Sequence, residues 1–158
     1  MVVGVWEKIL LAAPTARLAI KTKEFLTPKL HDQFLNTFKD KSVLDRVTIL
    51  PYSDTYGDHL PDYNKMDIAV DTFPYSGTTT SCESLMMGVP ILTLFDNVRH
   101  YHSQNVTTSL MKNCGLNEFV AYSQQEYIDK AVYFANNLDL FKDIKNTVRS
   151  AFVNGPIC

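Results

Sequence analysis

Short apolar runs alternate with helix-period segments from one end of the chain to the other, and that alternation restricts the fold more than any other feature. Val5, Trp6, Ile9 and Leu10 recur at helical spacing, and Pro14 closes this first helix before residues 17–21 offer a short strand. Pro28 stands where a second helix begins, Leu30, Phe34, Leu35 and Phe38 form its buried stripe, and residues 46–50 read as the second strand. Residues 52–65 are polar and broken by Gly57 and Pro61, which predicts a loop with one or two helical turns. A third strand over 68–70 leads to a helix over 81–87, which Gly88 ends in the left-handed conformation, and a fourth strand over 89–94 follows. Helices are expected over 103–113, 124–136 and 139–151. Parallel strands need crossover helices, so the class is α/β with a sheet covered on both faces.

At 158 residues the chain fits one domain with a sizeable core. Its 46% hydrophobic and 20% charged residues exclude disorder and a fibrous architecture. A net charge of -2 without any Lys/Arg run gives no basic field for a nucleic acid backbone, so no nucleic acid partner is expected. Glu7 and Lys8 interrupt the apolar start as in an amphipathic helix rather than a signal peptide, and no apolar run reaches transmembrane length, so no membrane partner is expected. Cys82, Cys114 and Cys158 lack the paired spacing of a zinc site or a disulfide framework, which points to a reducing compartment. The sequon at Asn105 and Thr107 falls within a predicted helix and reads as a chance match.

The segment with most chemical content runs from Asp71 to Glu83. It leaves the C-terminal end of the third strand and enters a helix, where open α/β sheets bind ligands. Gly77 permits close backbone approach, and Thr78, Thr79 and Thr80 set hydroxyls beside the unpaired N–H groups of a helix start, an arrangement suited to a diphosphate. Glu83, one turn further in, would repel a phosphate but can accept hydrogen bonds from a ribose diol. The competing account is that a threonine or serine caps the helix and Glu83 complements its dipole; local chemistry alone leans slightly that way. The segment lacks the adjacent lysine of a Walker A loop.

Around this segment, His59 lies in the loop after the second strand on the same sheet edge, placed to donate to a phosphate or to a leaving group. His31 rides a solvated helix face, and His100 and His102 flank Tyr101 after the fourth strand with no third ligand to make a metal site. Any of these histidines can equally be a surface or capping residue. Lys21 and Lys23 end the first strand beside the cleft, where a cation would help hold a diphosphate, although solvated lysines are common there. Phe73 and Tyr75 can stack on a ring or pack the loop, and packing is preferred for Phe73; Met86 and Met87 read as core filler. No nucleophile elbow, carboxylate pair or metal cluster can be picked out, and no catalytic residue is assigned.

The run over residues 66–93 closely resembles a C-terminal catalytic signature of the O-GlcNAc transferase/Spindly family. The similarity extends to Val5 and Trp6, Pro14, Arg17, Leu50 and Pro51, Asn105, Ser109, Gly115, Glu126 and Gly155 to Cys158, and is greater to the Spindly and bacterial branch. Animal enzymes resemble it less over 73–75 and carry a histidine where this chain has Thr78.

The resemblance implies a GT-B glycosyltransferase of two Rossmann-like lobes, with this chain as the C-terminal one: a Rossmann-like parallel sheet with flanking helices that holds the donor nucleotide. By motif matching, Thr78, Thr79 and Thr80 would face the diphosphate, Glu83 the ribose, His59 the nucleotide or its phosphates, Lys21 the base region, and Tyr75 with Gly77 the donor pocket. It implies transfer of GlcNAc from UDP-GlcNAc, or fucose from GDP-fucose, to Ser/Thr of intracellular proteins, without a cofactor or catalytic metal, in the cytoplasm or nucleocytoplasm. The expected reaction inverts the anomeric centre, the proton acceptor coming from the other lobe, the substrate or water. The chain is expected to be a fragment, lacking the N-terminal lobe, a preceding lysine-containing segment, the last family helices and the tetratricopeptide repeats that recruit protein acceptors. Two alternatives stand beside transfer: a non-catalytic nucleotide-sugar-binding or protein-interaction module, and a GT-B-type sugar-nucleotide epimerase.

Overall fold

The computed structural model describes residues 2–95 and 101–157. His100 and Cys158 therefore lie outside the described residues. The first element, α1 (Val2–Ala12), buries Val3, Val5, Trp6, Ile9 and Leu10 and packs on α6 (Gln124–Asn136). Arg46 closes its exit, donating to the carbonyls of Ala13 at 3.1 Å and Ala16 at 3.2 Å. Strands β1 (Leu18–Ile20) and β2 (Val47–Ile49) pair in parallel with Ala19 opposite Thr48, and α2 (Pro28–Leu35) lies between them in sequence.

The remaining strands form a separate parallel sheet in the order β3 (Ala69–Val70), β4 (Ile91–Leu94), β5 (Val120–Ala121). Ala69 sits opposite Ile91, and Thr93 opposite Val120. Central β4 is almost wholly buried, as expected of a strand covered on both faces. Its crossovers are α4 (Thr79–Met86) before it and α5 (His102–Asn113) after it; α6 covers β4 and β5, and α7 (Asp139–Val153) packs on α4. Gly88 ends the α4 turn at φ +79°, and a Cβ there would stand 2.7 Å from the Lys145 carbonyl of α7, so both conformation and space require glycine. Phe119, Phe134 and Phe141 knit the 3-10 turn before β5 to α6 and α7, with Phe119 and Phe134 stacked at 4.8 Å.

The α/β class and the parallel crossovers agree with the alternating sequence pattern. Three expectations need correction. Helix α4 begins at Thr79 rather than at 81, which draws two of the threonines into its first turn. The stripe assigned to α2 is not buried: Leu30 is 41% exposed, Phe34 and Leu35 are half-buried, and only Phe38, beyond the helix, reaches the core. Strand β5 escaped the sequence reading because two residues carry no periodicity, and its burial comes from α5 and α6, which are packed over it.

Candidate functional site

Strand β3 delivers Asp71 to the C-terminal edge of the sheet, and residues 72–78 turn into α4. The turn is held from beneath by a buried polar network centred on Asp71. One carboxylate oxygen accepts the Gly77 N–H at 2.9 Å and the other accepts the Thr93 hydroxyl at 2.8 Å, while the Tyr127 hydroxyl donates to the Asp71 carbonyl at 2.9 Å. Burial pushes the Asp71 carboxyl above its ordinary range, with the bonds from Gly77, Thr93 and Thr107 opposing that rise. The turn is also tied to α5: Ser76 N–H donates to the Ser103 carbonyl at 3.0 Å, and the Thr107 hydroxyl donates to the Gly77 carbonyl at 3.0 Å. Thr107 is fully buried within α5, so the sequon at Asn105 lies on a packed helix. A Cβ at Gly77 would collide with the Ser81 hydroxyl and lie 3.1 Å from that of Thr80, so any larger residue would have to displace the Ser81 hydroxyl where the turn closes on the helix.

Above this network the three threonines are exposed. Thr78 is the N-cap residue of α4, yet its side chain makes no capping bond, so the helix start presents its first-turn N–H groups without the side-chain cap weighed from the sequence. No acidic residue occupies that first turn, which leaves the positive end of the helix dipole uncompensated. Beneath Thr80, a cavity of about 180 Å³ opens between Tyr63, Ser84 and the β3 end, with Asp71, Gly77 and Ser81 also in its wall.

Glu83 has a different setting. It is 7% exposed, and its carboxylate reaches across to the segment after β2, where α3 (Tyr56–His59) runs into a 3-10 turn, Leu60–Lys65. Tyr56 donates its hydroxyl to Oε1, whereas His59 Nε2 and the Tyr63 hydroxyl both approach Oε2 at 3.1 Å. Burial, then the Glu83 charge, drives the Tyr63 phenol upward; for exposed Tyr56 the hydrogen bond to Glu83 is the main cause that raises its phenol. His59 thus stands on the same edge as α4, as its place after β2 predicts, with Glu83 as its neighbour. Tyr56 and Tyr63 were missed by the sequence reading; with His59 they fall at positions i, i+3 and i+7, a helical spacing hidden in a segment broken by Gly57 and Pro61.

Lys21 is also more committed than a solvated strand-end cation. Its ammonium lies 2.6 Å from Asp62 Oδ2 and 2.6 Å from the Ser53 hydroxyl, with 10% of the side chain exposed. Lys65 pairs with the other Asp62 oxygen at 2.7 Å, and these bonds, Lys21 first, hold the Asp62 carboxyl below its ordinary range. In this structure the Lys21 charge anchors the 3-10 turn that carries Tyr63. Lys23 lies over the Tyr52 ring, 5.8 Å from its centroid. Tyr75 is 67% exposed, with its carbonyl accepting from Thr72, and Phe73 packs edge-on against Tyr127 at 5.5 Å, the packing role preferred for it. His102 is exposed at the start of α5. Among the described residues no three His, Cys, Asp or Glu side chains are grouped to hold a metal ion, and no helix is long and apolar enough to cross a membrane.

The edge therefore joins an open, threonine-rich helix start to a buried carboxylate one turn away. The chain is similar to curated proteins named probable UDP-N-acetylglucosamine–peptide N-acetylglucosaminyltransferase SPINDLY: 38% identical to that of Hordeum vulgare and 39% to that of Oryza sativa subsp. japonica, over 99% of this chain in each case. It spans about a sixth of those relatives, 16% and 17% of their lengths. A solved structure of a mutant O-GlcNAc transferase from Thermobaculum terrenum superposes with a TM-score of 0.86 at 35% identity, covering 97% of this chain and 29% of that one. The architecture is accordingly that of an O-GlcNAc transferase GT-B catalytic lobe. The sequence profile of glycosyl transferase family 41 matches residues 2–157, and the chain belongs to that family.

Proposed function

We propose that this chain is the donor-binding lobe of a protein O-glycosyltransferase that moves GlcNAc from UDP-GlcNAc to Ser/Thr hydroxyls of intracellular proteins. The observation that carries this reading is the uncapped start of α4, with Thr78, Thr79 and Thr80 exposed one turn from Glu83. The diphosphate would lie on the first-turn N–H groups and the threonine hydroxyls, the ribose against Glu83, and His59 beside the nucleotide. Gly77 keeps the turn close to the ligand, and Tyr75 borders the donor pocket. Lys21 contributes from the base side by anchoring the turn that carries Tyr63 rather than as a free charge.

As the acceptor hydroxyl attacks the anomeric carbon, negative charge develops on the departing nucleoside diphosphate. Donors already aimed at that position stabilise the charge without reorganising, so the α4 start acts as an electrostatic catalyst. The proton of the acceptor hydroxyl goes to a group outside the residues assigned here: the second lobe, the substrate or water. The second lobe and the tetratricopeptide repeats would supply protein acceptor binding, in the cytoplasm or nucleocytoplasm. No resident cofactor enters the reaction; the nucleotide sugar is its substrate.

Calorimetric titration with UDP, GDP, UDP-GlcNAc and GDP-fucose tests the reading. Binding of UDP and UDP-GlcNAc is expected, and Thr79→Ala should weaken it by about 1 to 3 kcal/mol, the range for hydrogen bonds to charged groups, while the melting curve stays in place. Preference for the guanosine pair would assign fucose instead. Silence toward all four ligands by the folded chain would remove the donor site.

A further inference from the structure

The carboxylate that the proposed ribose contact needs is already engaged, and its two oxygens are engaged unequally. Oε2 is held by His59 and by Tyr63, which is 8% exposed and belongs to the core. Oε1 is held by Tyr56, whose side chain is among the most solvent-facing aromatics of the chain at 60% exposure. Tyr56 stands on α3, a single turn in which no residue is buried. Moving Tyr56 would therefore open no core, whereas moving Tyr63 would. A phenol hydroxyl and a ribose hydroxyl offer a carboxylate the same thing, one O–H donor, so the two compete for one acceptor.

We propose that Tyr56 is a ribose-mimicking gate of the donor site: in the empty lobe its hydroxyl occupies the Glu83 oxygen that a nucleoside ribose takes, and the nucleotide binds by displacing it. This rests on the reading of Glu83 as the ribose acceptor. The gate keeps a buried carboxylate satisfied when no ligand is present, which an unpaired acceptor at that depth would require. It also sets affinity for ligands that carry a ribose diol, because only the fraction of molecules with Tyr56 swung away offers Oε1 to a ribose hydroxyl, and their apparent dissociation constant rises as that fraction falls. A ligand without ribose hydroxyls gains nothing from the vacated oxygen and is indifferent to the gate. The contrasting account, in which the hydroxyl merely staples α3 to α4, makes the opposite demand: losing the bond should loosen the segment and weaken every nucleotide.

The sign of one substitution separates the two. The chain and its Tyr56→Phe variant are titrated with UDP and GDP, and the tighter of the two is compared with its 2′,3′-dideoxy analogue. Tyr56→Phe is expected to tighten the ribonucleotide roughly 3- to 10-fold, the scale of one ordinary hydrogen bond, and to leave the dideoxy analogue within about twofold. In a Glu83→Gln background, where the gated carboxylate is gone, the advantage should disappear. Weaker or unchanged ribonucleotide binding by Tyr56→Phe, with wild-type binding intact, overturns the gate and leaves the donor site standing. Equal tightening of both ligands overturns it too, since the hydroxyl would then restrict access rather than imitate ribose. Failure of the wild-type chain to bind either ribonucleotide brings down the donor site and the gate together.

Discussion

The β3–β5 region and the β1–β2 region each hold an aspartate at the sheet edge, and they hold it by opposite means. Asp71 lies among neutral donors, the Gly77 N–H and the hydroxyl of fully buried Thr93, and burial outweighs them to raise its carboxyl. Asp62 lies between the ammonium groups of Lys21 and Lys65, which lower its carboxyl. The difference follows from packing. Where α4, α5 and α6 cover β4 the interior is dry, and fixed dipoles suffice to shape the turn under the threonines. On the β1–β2 side the helix α2 buries no residue, and the mostly covered Lys21–Asp62 charge pair fastens the segment instead. The edge is thus held by buried dipoles below the proposed diphosphate position and charge-fastened beside the proposed ribose position.

The largest effect should come from the dry side. Asp71→Ala strips the acceptor from two buried donors at once and is expected to lower unfolding free energy by about 3 kcal/mol in urea titrations. A loss below about 1 kcal/mol would show that the network does not hold the turn. Asp71→Asn keeps the shape and removes the titration. Because the folded state binds this proton more tightly than the unfolded state, the Asp71 contribution is complete below the ordinary aspartate range. It is lost as pH rises through the higher folded value. Wild-type stability should accordingly fall over that window relative to Asp71→Asn, and parallel pH profiles would contradict it.

The charge-fastened side should respond less, and with the reverse dependence on pH. Lys21→Met is expected to cost about 1 to 2 kcal/mol at neutral pH, since the pair is mostly covered and Lys65 still neutralises part of Asp62. The folded Asp62 carboxyl sits below its ordinary range, so its contribution is present above about pH 4 and lost as pH falls through the folded value. The gap between wild type and Lys21→Met should therefore close in acid. An equal gap at pH 7 and below pH 3 would mean that Lys21 acts through its stem and not its charge.

The same contrast explains what the sequence disclosed. Buried elements announce themselves: the run that became β4, and the Gly88 stop, were legible because burial on both faces favours an apolar run and a left-handed turn demands glycine. The Gly77 turn and the helix after it were legible for related reasons, although α4 starts earlier than expected because threonine is a weak helix former whose place in the first turn is set by the Asp71 lock. Contacts between distant segments were not legible. Tyr56 and Tyr63 meet Glu83 across 27 and 20 residues, and Lys21 meets Asp62 across 41. No local spacing encodes those pairings; they arise when the parallel crossovers bring the ends of β1, β2 and β3 to one edge. Periodicity also misjudged α2, because an amphipathic pattern states which face is apolar without stating that anything covers it.

That misjudged helix supplies the smallest test of the comparison. Leu30 fits the apolar stripe by spacing but is 41% exposed, on a helix that buries none of its residues. A fully buried leucine cut to alanine costs about 2 to 5 kcal/mol, and most of that is transfer and cavity energy, which a half-exposed side chain does not carry. Alanine is also the better helix former, by a few tenths of a kcal/mol, so part of the remaining loss is offset. Leu30→Ala should therefore shift the urea unfolding free energy by less than about 1 kcal/mol and leave nucleotide affinity unchanged. A larger loss would mean that α2 is packed in solution as tightly as the helices over β4, and the division into a dry half and a charge-fastened half would fail at that point.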